Sequence, residues 1–270
     1  MSTVTSSDGT VIAFEKVGQG PPVVLVDGAF VYRAIDPWAP QFASLLADKY
    51  TVYTYERRGR GNSGDNSGDA APYAIAREIE DLAAVIKEAG GSANVVGLSS
   101  GAVLALDAAA SDLPITKLAV YEPPFIVDDS HPPRPDDYLA VAKEIIADGR
   151  KGDAIAHALT KTVFLPPEMV EGMRAEPFFG AMEAVGNTVA YDGEIMDGLM
   201  SGKPLPTDRW SSLSVPTLVL YGGASEQWVH NGAKALNELL PTAEVQGLEG
   251  QTHEIDASVL ASVVEKYFAG

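Results

Sequence analysis

Residues 95–102 read Val-Val-Gly-Leu-Ser-Ser-Gly-Ala, and no other stretch limits the possible folds of this chain as strongly. A short apolar strand runs into Gly97-x-Ser99-x-Gly101, and an Ala- and Leu-rich helix follows from about Ala102 to Ala110. A strand-to-helix turn this sharp strains the backbone of Ser99, so the small residues Gly97 and Gly101 are needed on either side. The turn is expected to hold the Ser99 hydroxyl above the strand ends. The first N–H groups of the helix then face whatever oxygen the hydroxyl attacks, and their partial positive charge favours an anion there. Taken alone, the five-residue motif is equally a Gly/Ser loop before a helix. The strand before it and the helix after it favour a nucleophile.

The rest of the chain repeats this strand–helix alternation. Val4–Ser6 and Val11–Val17, joined by Ser-Asp-Gly, read as a hairpin. Pro22–Val26, Tyr50–Tyr55, Ile115–Tyr121, Pro216–Tyr221 and Ala243–Leu248 read as further strands, several apolar enough to be buried on both faces. Helices are expected at Pro40–Asp48, Tyr73–Ala89, Gln227–Leu240 and Ala257–Phe268. Between about Phe125 and Trp210 the pattern changes to helices alone, at Asp137–Ala147, Asp153–Val163, Pro167–Arg174 and Phe178–Val185. The expected architecture is an α/β, mostly parallel, doubly wound sheet. Residues 1–124 and 211–270 form its core domain, and 125–210 form a helical cap (lid) over the strand ends. The Gly-rich turn Glu56-Arg-Arg-Gly-Arg-Gly-Asn-Ser-Gly-Asp65 lacks the Gly-Lys-Ser/Thr ending of a phosphate-binding loop and reads as structural.

Composition narrows the function classes. With 19 Lys and Arg against 37 Asp and Glu, the formal charge is −18. Such a surface repels phosphate backbones, so nucleic acid is not an expected partner. A strongly anionic substrate is also disfavoured, although local charge at a site can override the mean. The absence of cysteine excludes disulfides, thiolate metal sites and a cysteine nucleophile. The first nine residues lack the basic start and apolar core of a signal peptide, and no apolar run approaches the length of a membrane span. A soluble, cytoplasmic protein without membrane contact is expected, as a monomer or a homodimer.

A serine nucleophile needs a base within reach and a buried acid to orient that base. Of four histidines, His131 lies in a Pro-rich turn, while His157 and His230 fall on helices. His253 sits between the last strand and the last helix, in a loop that opens at the strand ends beside Ser99. It is the expected base. The acid has two candidates. Glu226, in Gly222-Gly-Ala-Ser-Glu226-Gln-Trp, follows the strand after the insertion, but it also has a ready explanation as a first-turn residue facing the helix dipole. Glu122 closes the strand next to the nucleophile strand, and Pro123 and Pro124 stiffen the backbone behind it. A carboxylate ending an apolar strand needs a partner. Glu122 is therefore preferred, with Glu226 as the alternative. For the oxyanion hole, the expected donors are the Ser100 N–H and one from Asp27-Gly28-Ala29-Phe30, namely that of Ala29 or of Gly28. Asp27 is a turn former or braces this loop through backbone hydrogen bonds.

Together these residues resemble the α/β-hydrolase superfamily over essentially the whole chain. The resemblance rests on Asp27-Gly28-Ala29, the Arg-Gly-Arg-Gly-Asn-Ser-Gly turn at 58–64, Gly97-Leu-Ser-Ser-Gly101 and Gly250-Gln-Thr-His253. It implies the α/β-hydrolase fold. An acid after the strand next to the nucleophile resembles the layout of zearalenone lactonases and of some haloalkane dehalogenases. The dehalogenases use an Asp nucleophile, which Ser99 excludes. The lactonase likeness extends to Asp-Gly in the oxyanion loop, Ser-Ser-Gly-Ala at the turn, Glu122-Pro-Pro and Gly-Gly-Ala-Ser after the capped region. It supports Ser99–His253–Glu122 and leaves the substrate open.

The expected activity is that of a serine esterase or lactonase acting on a neutral, largely apolar small molecule through an acyl-enzyme, without metal or organic cofactor. Phe30, Phe125, Met173, Phe178, Phe179, Met182, Tyr191, Trp210 and Trp228 are candidates for an apolar pocket, or for packing between cap helices. The alternatives are carbon–carbon bond hydrolysis, cofactor-free perhydrolysis or a lyase on the same fold, or a non-catalytic small-molecule receptor.

Overall fold

A computed structural model describes residues 1–67 and 72–270. Eight strands form one sheet in the order β1-β2-β4-β3-β5-β6-β7-β8. They are β1 (Ser2–Thr5), β2 (Val11–Gly18), β3 (Pro22–Val26), β4 (Thr51–Tyr55), β5 (Ala93–Leu98), β6 (Ile115–Tyr121), β7 (Thr217–Gly222) and β8 (Ala243–Leu248). The β1–β2 hairpin and the β2–β4 pair are antiparallel, and every pair from β4 to β8 is parallel. The α/β-hydrolase architecture anticipated from the sequence is the one observed.

The central strands β3, β5, β6 and β7 are apolar on both faces, and their alternation assigns each face its helices. Val24, Val26, Val95, Leu118, Val120 and Val219 share one core with Leu82, Val85 and Ile86 of α2 (Ile75–Glu88), with α3 (Ser100–Ala110), and with Ala233 and Leu236 of α9 (Gln227–Leu239). Val23, Leu25, Val96, Ala119, Leu218 and Leu220 pack on the opposite face against Phe42 and Leu46 of α1 (Trp38–Leu46) and Leu260 and Val264 of α10 (Ala257–Ala269). The helix α3 is largely apolar because most of it is buried.

Between β6 and β7 lie α4 (Tyr138–Ala147), α5 (Lys151–Lys161), α6 (Pro167–Arg174), α7 (Pro177–Ala184), a 3₁₀ turn at Gly186–Thr188 and α8 (Val189–Ile195). They build a core of their own from residues such as Tyr138, Ile155, Leu159, Phe179 and Val189. The short helix α8 was not anticipated, and it ties the two parts together. Its Val189 belongs to this smaller core, whereas Ile195 and the adjoining Met196 belong to the sheet core. Among the described residues no helix is long and apolar enough to cross a membrane.

Candidate active site

Ser99 occupies the turn between β5 and α3 with φ 53° and ψ −123°. A non-glycine residue held there stores on the order of 1–3 kcal/mol of strain, which the surrounding structure must hold in place. The Ser99 N–H donates to the Tyr121 carbonyl at 2.9 Å, which fastens the turn to β6. The flanking glycines are sterically required. A Cβ at Gly101 would lie 2.3 Å from the Val26 carbonyl oxygen, and one at Gly97 would lie 2.7 Å from the Ala102 Cα.

Glu122, immediately after β6, also has a positive φ of 45° and is almost fully buried. Its Oε2 lies 2.8 Å from His253 Nδ1. Its Oε1 accepts from the Gly222 N–H at 2.7 Å and the Ser225 hydroxyl at 2.5 Å. Burial pushes the Glu122 carboxyl up, but these three hydrogen bonds outweigh it and hold the group below the ordinary glutamate value. The β7–α9 loop thus supplies donors to Glu122. Its own carboxylate, Glu226, accepts from the Trp228 indole N–H at 2.6 Å and makes no bond to His253. The Tyr121 hydroxyl donates to the Thr252 carbonyl at 2.5 Å, securing the backbone next to His253. The His253 side chain is 58% exposed. Among the described residues no hydrogen bond joins it to the Ser99 hydroxyl, and the two meet only as walls of one cavity.

The Ser100 N–H, at the first position of α3, has no partner within the helix, and Ala29 shares the cavity wall with it. Gly28 is packed against the turn, so that a Cβ there would lie 3.1 Å from the Ser99 Cβ. The loop is braced by arginines rather than by the Asp27 carboxylate. Arg60 Nη1 donates to the Gly28 carbonyl at 2.5 Å, and Arg57 Nη1 donates to the Asp27 carbonyl at 3.3 Å. Both guanidiniums are fully buried and converge on Asp192 of α8, at 2.9 Å from Arg57 and 2.7 Å from Arg60. Arg57 is also forked by Glu78. Asp192 in turn accepts from the Ser100 hydroxyl at 2.8 Å. Burial would raise the Asp192 carboxyl, but Arg60, Arg57 and the Ser100 bond hold it below the ordinary aspartate value. The turn read as structural at Glu56–Asp65 thus supplies the two arginines that hold the Asp27–Gly28 backbone beside Ser99.

Ser99, Ser100, Ala29, Glu122 and His253 line a cavity of about 510 Å³ beneath α4, α5 and α8. The volume suits a small molecule. Of the aromatic and methionine residues considered for its walls, Phe30 and Trp228 lie along it. The other seven are placed elsewhere. Phe125 and Trp210 are in the sheet core, where the Trp210 indole donates to Asp107. Phe179 is in the core of the insertion, with Met173 and Met182 packed against it. Phe178 points outward, and Tyr191 stacks on Tyr73 while donating to Asp65. The apolar walls come instead from Val163, Phe164, Leu165, Val189, Met196 and Val229. Among the described residues no three His, Asp or Glu side chains converge as metal ligands.

The model of the alpha/beta hydrolase family matches residues 23–263. The chain belongs to that family. A solved alpha/beta hydrolase from Sphaerobacter thermophilus is 49% identical, with a TM-score of 0.88 over 99% of this chain and 100% of the other. The fold is shared more distantly by an esterase from Thermogutta terrifontis, at 22% identity and TM-score 0.71, covering 99% of this chain and 97% of the other. An enol-lactonase from Burkholderia xenovorans is 19% identical, with TM-score 0.72 and full coverage of both chains. A comparison with curated proteins found no match.

Several residues of this alpha/beta hydrolase site lay outside the sequence reading. Asp192 sits on the seven-residue α8, too short and too glycine-interrupted to give a helical period. His131, weighed above only as a candidate base, lines the cavity with Arg134 and Phe164, all from irregular backbone with no periodicity to read. Phe164 stands at φ 61°, with its ring 4.2 Å from that of His131. The one signal for this group was His131-Pro-Pro-Arg134-Pro, whose prolines mark a stiffened turn.

Proposed function

We propose that the protein is a serine hydrolase that cleaves a carboxylic ester or lactone of a largely apolar small molecule. Ser99 is the nucleophile, His253 the base and Glu122 the acid. The observation that carries this reading is the placement of strained Ser99 on the same cavity as His253, whose Nδ1 is bonded to a buried carboxylate. A histidine held in this way presents Nε2 toward the reacting serine, with its tautomer fixed by Glu122.

In the proposed cycle Ser99 Oγ attacks the carbonyl carbon while His253 Nε2 takes its proton. The missing Ser99–His253 hydrogen bond closes as substrate fills the cavity, and the exposed imidazole has room to turn about its bond to Glu122. The oxyanion sits against the N–H groups of Ser100 and Ala29, each worth about 3 kcal/mol in such sites. The intermediate collapses as His253 returns the proton to the departing alkoxide oxygen. Water, deprotonated by His253, then attacks the acyl-enzyme, and release of the acid restores Ser99. Glu122 stays ionised throughout, in keeping with its lowered pKa. The insertion at 125–210 serves as the cap that shapes the acyl and alcohol pockets. The Ser99–His253–Glu122 layout also supports kinship with zearalenone lactonases in the placement of the acid.

The test is a panel of esters and lactones incubated with wild type and with Ser99→Ala, with products identified by mass. Hydrolysis by wild type alone, giving free acid and alcohol or the hydroxy acid, supports the reading. Turnover by Ser99→Ala overturns it.

A further inference from the structure

Among the described residues four arginines are buried: Arg57, Arg58, Arg60 and Arg134. Three of them are neutralised by buried or half-buried carboxylates. Arg57 pairs with Glu78 and Asp192, Arg58 with Asp81 and Asp8, and Arg60 with Asp192. Arg134 differs. Its side chain is 6% exposed, and its nearest carboxylate oxygen, on Asp197, is 3.6 Å away on a side chain that is 73% exposed. Its Nη2 makes only long bonds, 3.4 Å to the Gly193 carbonyl and 3.3 Å to the Met196 carbonyl. Its Nη1 is buried and has no hydrogen-bond partner among the described residues. A guanidinium in this condition loses more to desolvation than its one long ion pair, to exposed Asp197, returns. Burial accordingly pulls its pKa below the usual arginine value, with Tyr138 and Asp197 opposing the fall only in part.

Its position explains what such a group is for. Arg134 lines the same cavity as Ser99, as do Tyr138, Gly193 and Met196, the residues its guanidinium touches. The Tyr138 ring lies 4.6 Å beneath the guanidinium carbon and keeps the plane of the group in place. Pro133 and Pro135 stiffen the backbone on either side. The other charged groups on the cavity wall are already engaged: Asp192 with Arg57 and Arg60, Glu122 with His253, and Glu226 with the Trp228 indole. Arg134 and Ser99 line one cavity of about 510 Å³, a volume that suits one small molecule.

We propose that the substrate carries a carboxylate, which docks on Arg134 while its ester or lactone carbonyl lies at Ser99. The substrate class is then an anionic ester or lactone with an otherwise apolar body, such as a monoester of a dicarboxylic acid. This differs from the neutral substrate expected from the overall charge, because Arg134 offers a counter-charge within the cavity. Arg134 takes no part in bond making. It contributes binding and orientation through Nη1, the nitrogen left without a partner among the described residues, by a charge-assisted hydrogen bond. The inference rests on the hydrolase reading for the role of Ser99.

The test pairs mono-4-nitrophenyl esters of glutaric, adipic and suberic acids with neutral 4-nitrophenyl alkanoates of the same chain lengths. Wild type is expected to prefer at least one anionic ester by about 10- to 100-fold in kcat/KM, the range of a charge-assisted hydrogen bond. Arg134→Gln should lose that preference mainly through KM, while Arg134→Lys should retain part of it. A merely structural arginine would lower both ester series together. Binding is read separately by the thermal shift that adipate or suberate produces in Ser99→Ala. A shift that disappears in Ser99→Ala/Arg134→Gln supports the carboxylate site even if no ester is cleaved, in which case the hydrolase reading fails alone. Cleavage of neutral and anionic esters at equal rates by wild type, with no shift from either diacid, overturns the Arg134 proposal and leaves the hydrolase reading standing. Should Arg134→Gln fail to fold, the wild-type preference and the Arg134→Lys variant decide the matter.

Discussion

Asp192 and Ser100, 92 residues apart in the chain, are joined by a 2.8 Å hydrogen bond from the Ser100 hydroxyl to the Asp192 carboxylate. The bond links the insertion to the residue next to Ser99, through a carboxylate that also neutralises Arg57 and Arg60.

Asp192→Asn removes the charge from this junction and leaves two buried guanidiniums short of a partner. Breaking one side of a buried pair costs about 3–5 kcal/mol. In a chain of this size that corresponds to a Tm lowered by about 6–20 °C. Ester hydrolysis should also fall, because Arg57 and Arg60 hold the Asp27 and Gly28 carbonyls in place. Thermal unfolding and initial rates on one ester check both effects. A Tm within a degree of wild type would show that the cluster does not carry load.

Glu122→Gln and Glu226→Gln separate the two acids. The first leaves His253 beside an amide that cannot hold the imidazolium, and kcat should drop by about 10²–10⁴. The second disturbs only the bond from the Trp228 indole, and its effect should stay within a few-fold. The reverse ranking would move the acid to the β7–α9 loop.

Ser225→Ala deletes one of the three hydrogen bonds that lower the Glu122 pKa. The Glu122 pKa should rise, and its carboxyl carbon should titrate at higher pH than in wild type when followed by NMR. The sign is fixed because the lost donor favoured the ionised form. An unmoved titration would show that the Ser225 bond does not tune this group.

Asp27 titrates in the opposite sense. Burial raises its carboxyl to about 7, with Asp36 adding to the rise while Arg60 and Arg57 oppose it. A folded-state value above the unfolded one contributes stability that is complete below about pH 4 and is lost as pH climbs through about 7. Asp27→Asn should therefore gain stability relative to wild type as pH rises from 4 to 8, by on the order of 2–4 kcal/mol. Denaturant unfolding of both proteins at the two pH values measures the difference. A gap that stays constant with pH would mean that Asp27 ionises normally.

Much of this site was legible where chemistry and local pattern coincide. Gly97-x-Ser99-x-Gly101 announced the turn because the tight packing of glycine against Val26 and Asp27 leaves no other residue type. Glu122 stood out because a carboxylate ending the apolar strand Ile115–Tyr121 needs a partner, and His253 is bonded to it. The cavity walls were less readable. Apolar character predicts burial but not which surface a side chain meets, so Phe125 and Trp210 went to the core while Val163 and Phe164 line the cavity. The arginine brace was invisible for another reason. Arg57 and Arg60 are joined to Asp192 only by the fold, through a helix of seven residues that leaves no periodic trace.

The measurement that bears most directly on the central claim is intact mass after treatment with a fluorophosphonate, on wild type and on Ser99→Ala. The account predicts one phosphonyl adduct on wild type and none on the variant, because only a serine activated by His253 reacts at a useful rate. An adduct on both proteins, or on neither, would contradict the assignment of Ser99 as the nucleophile.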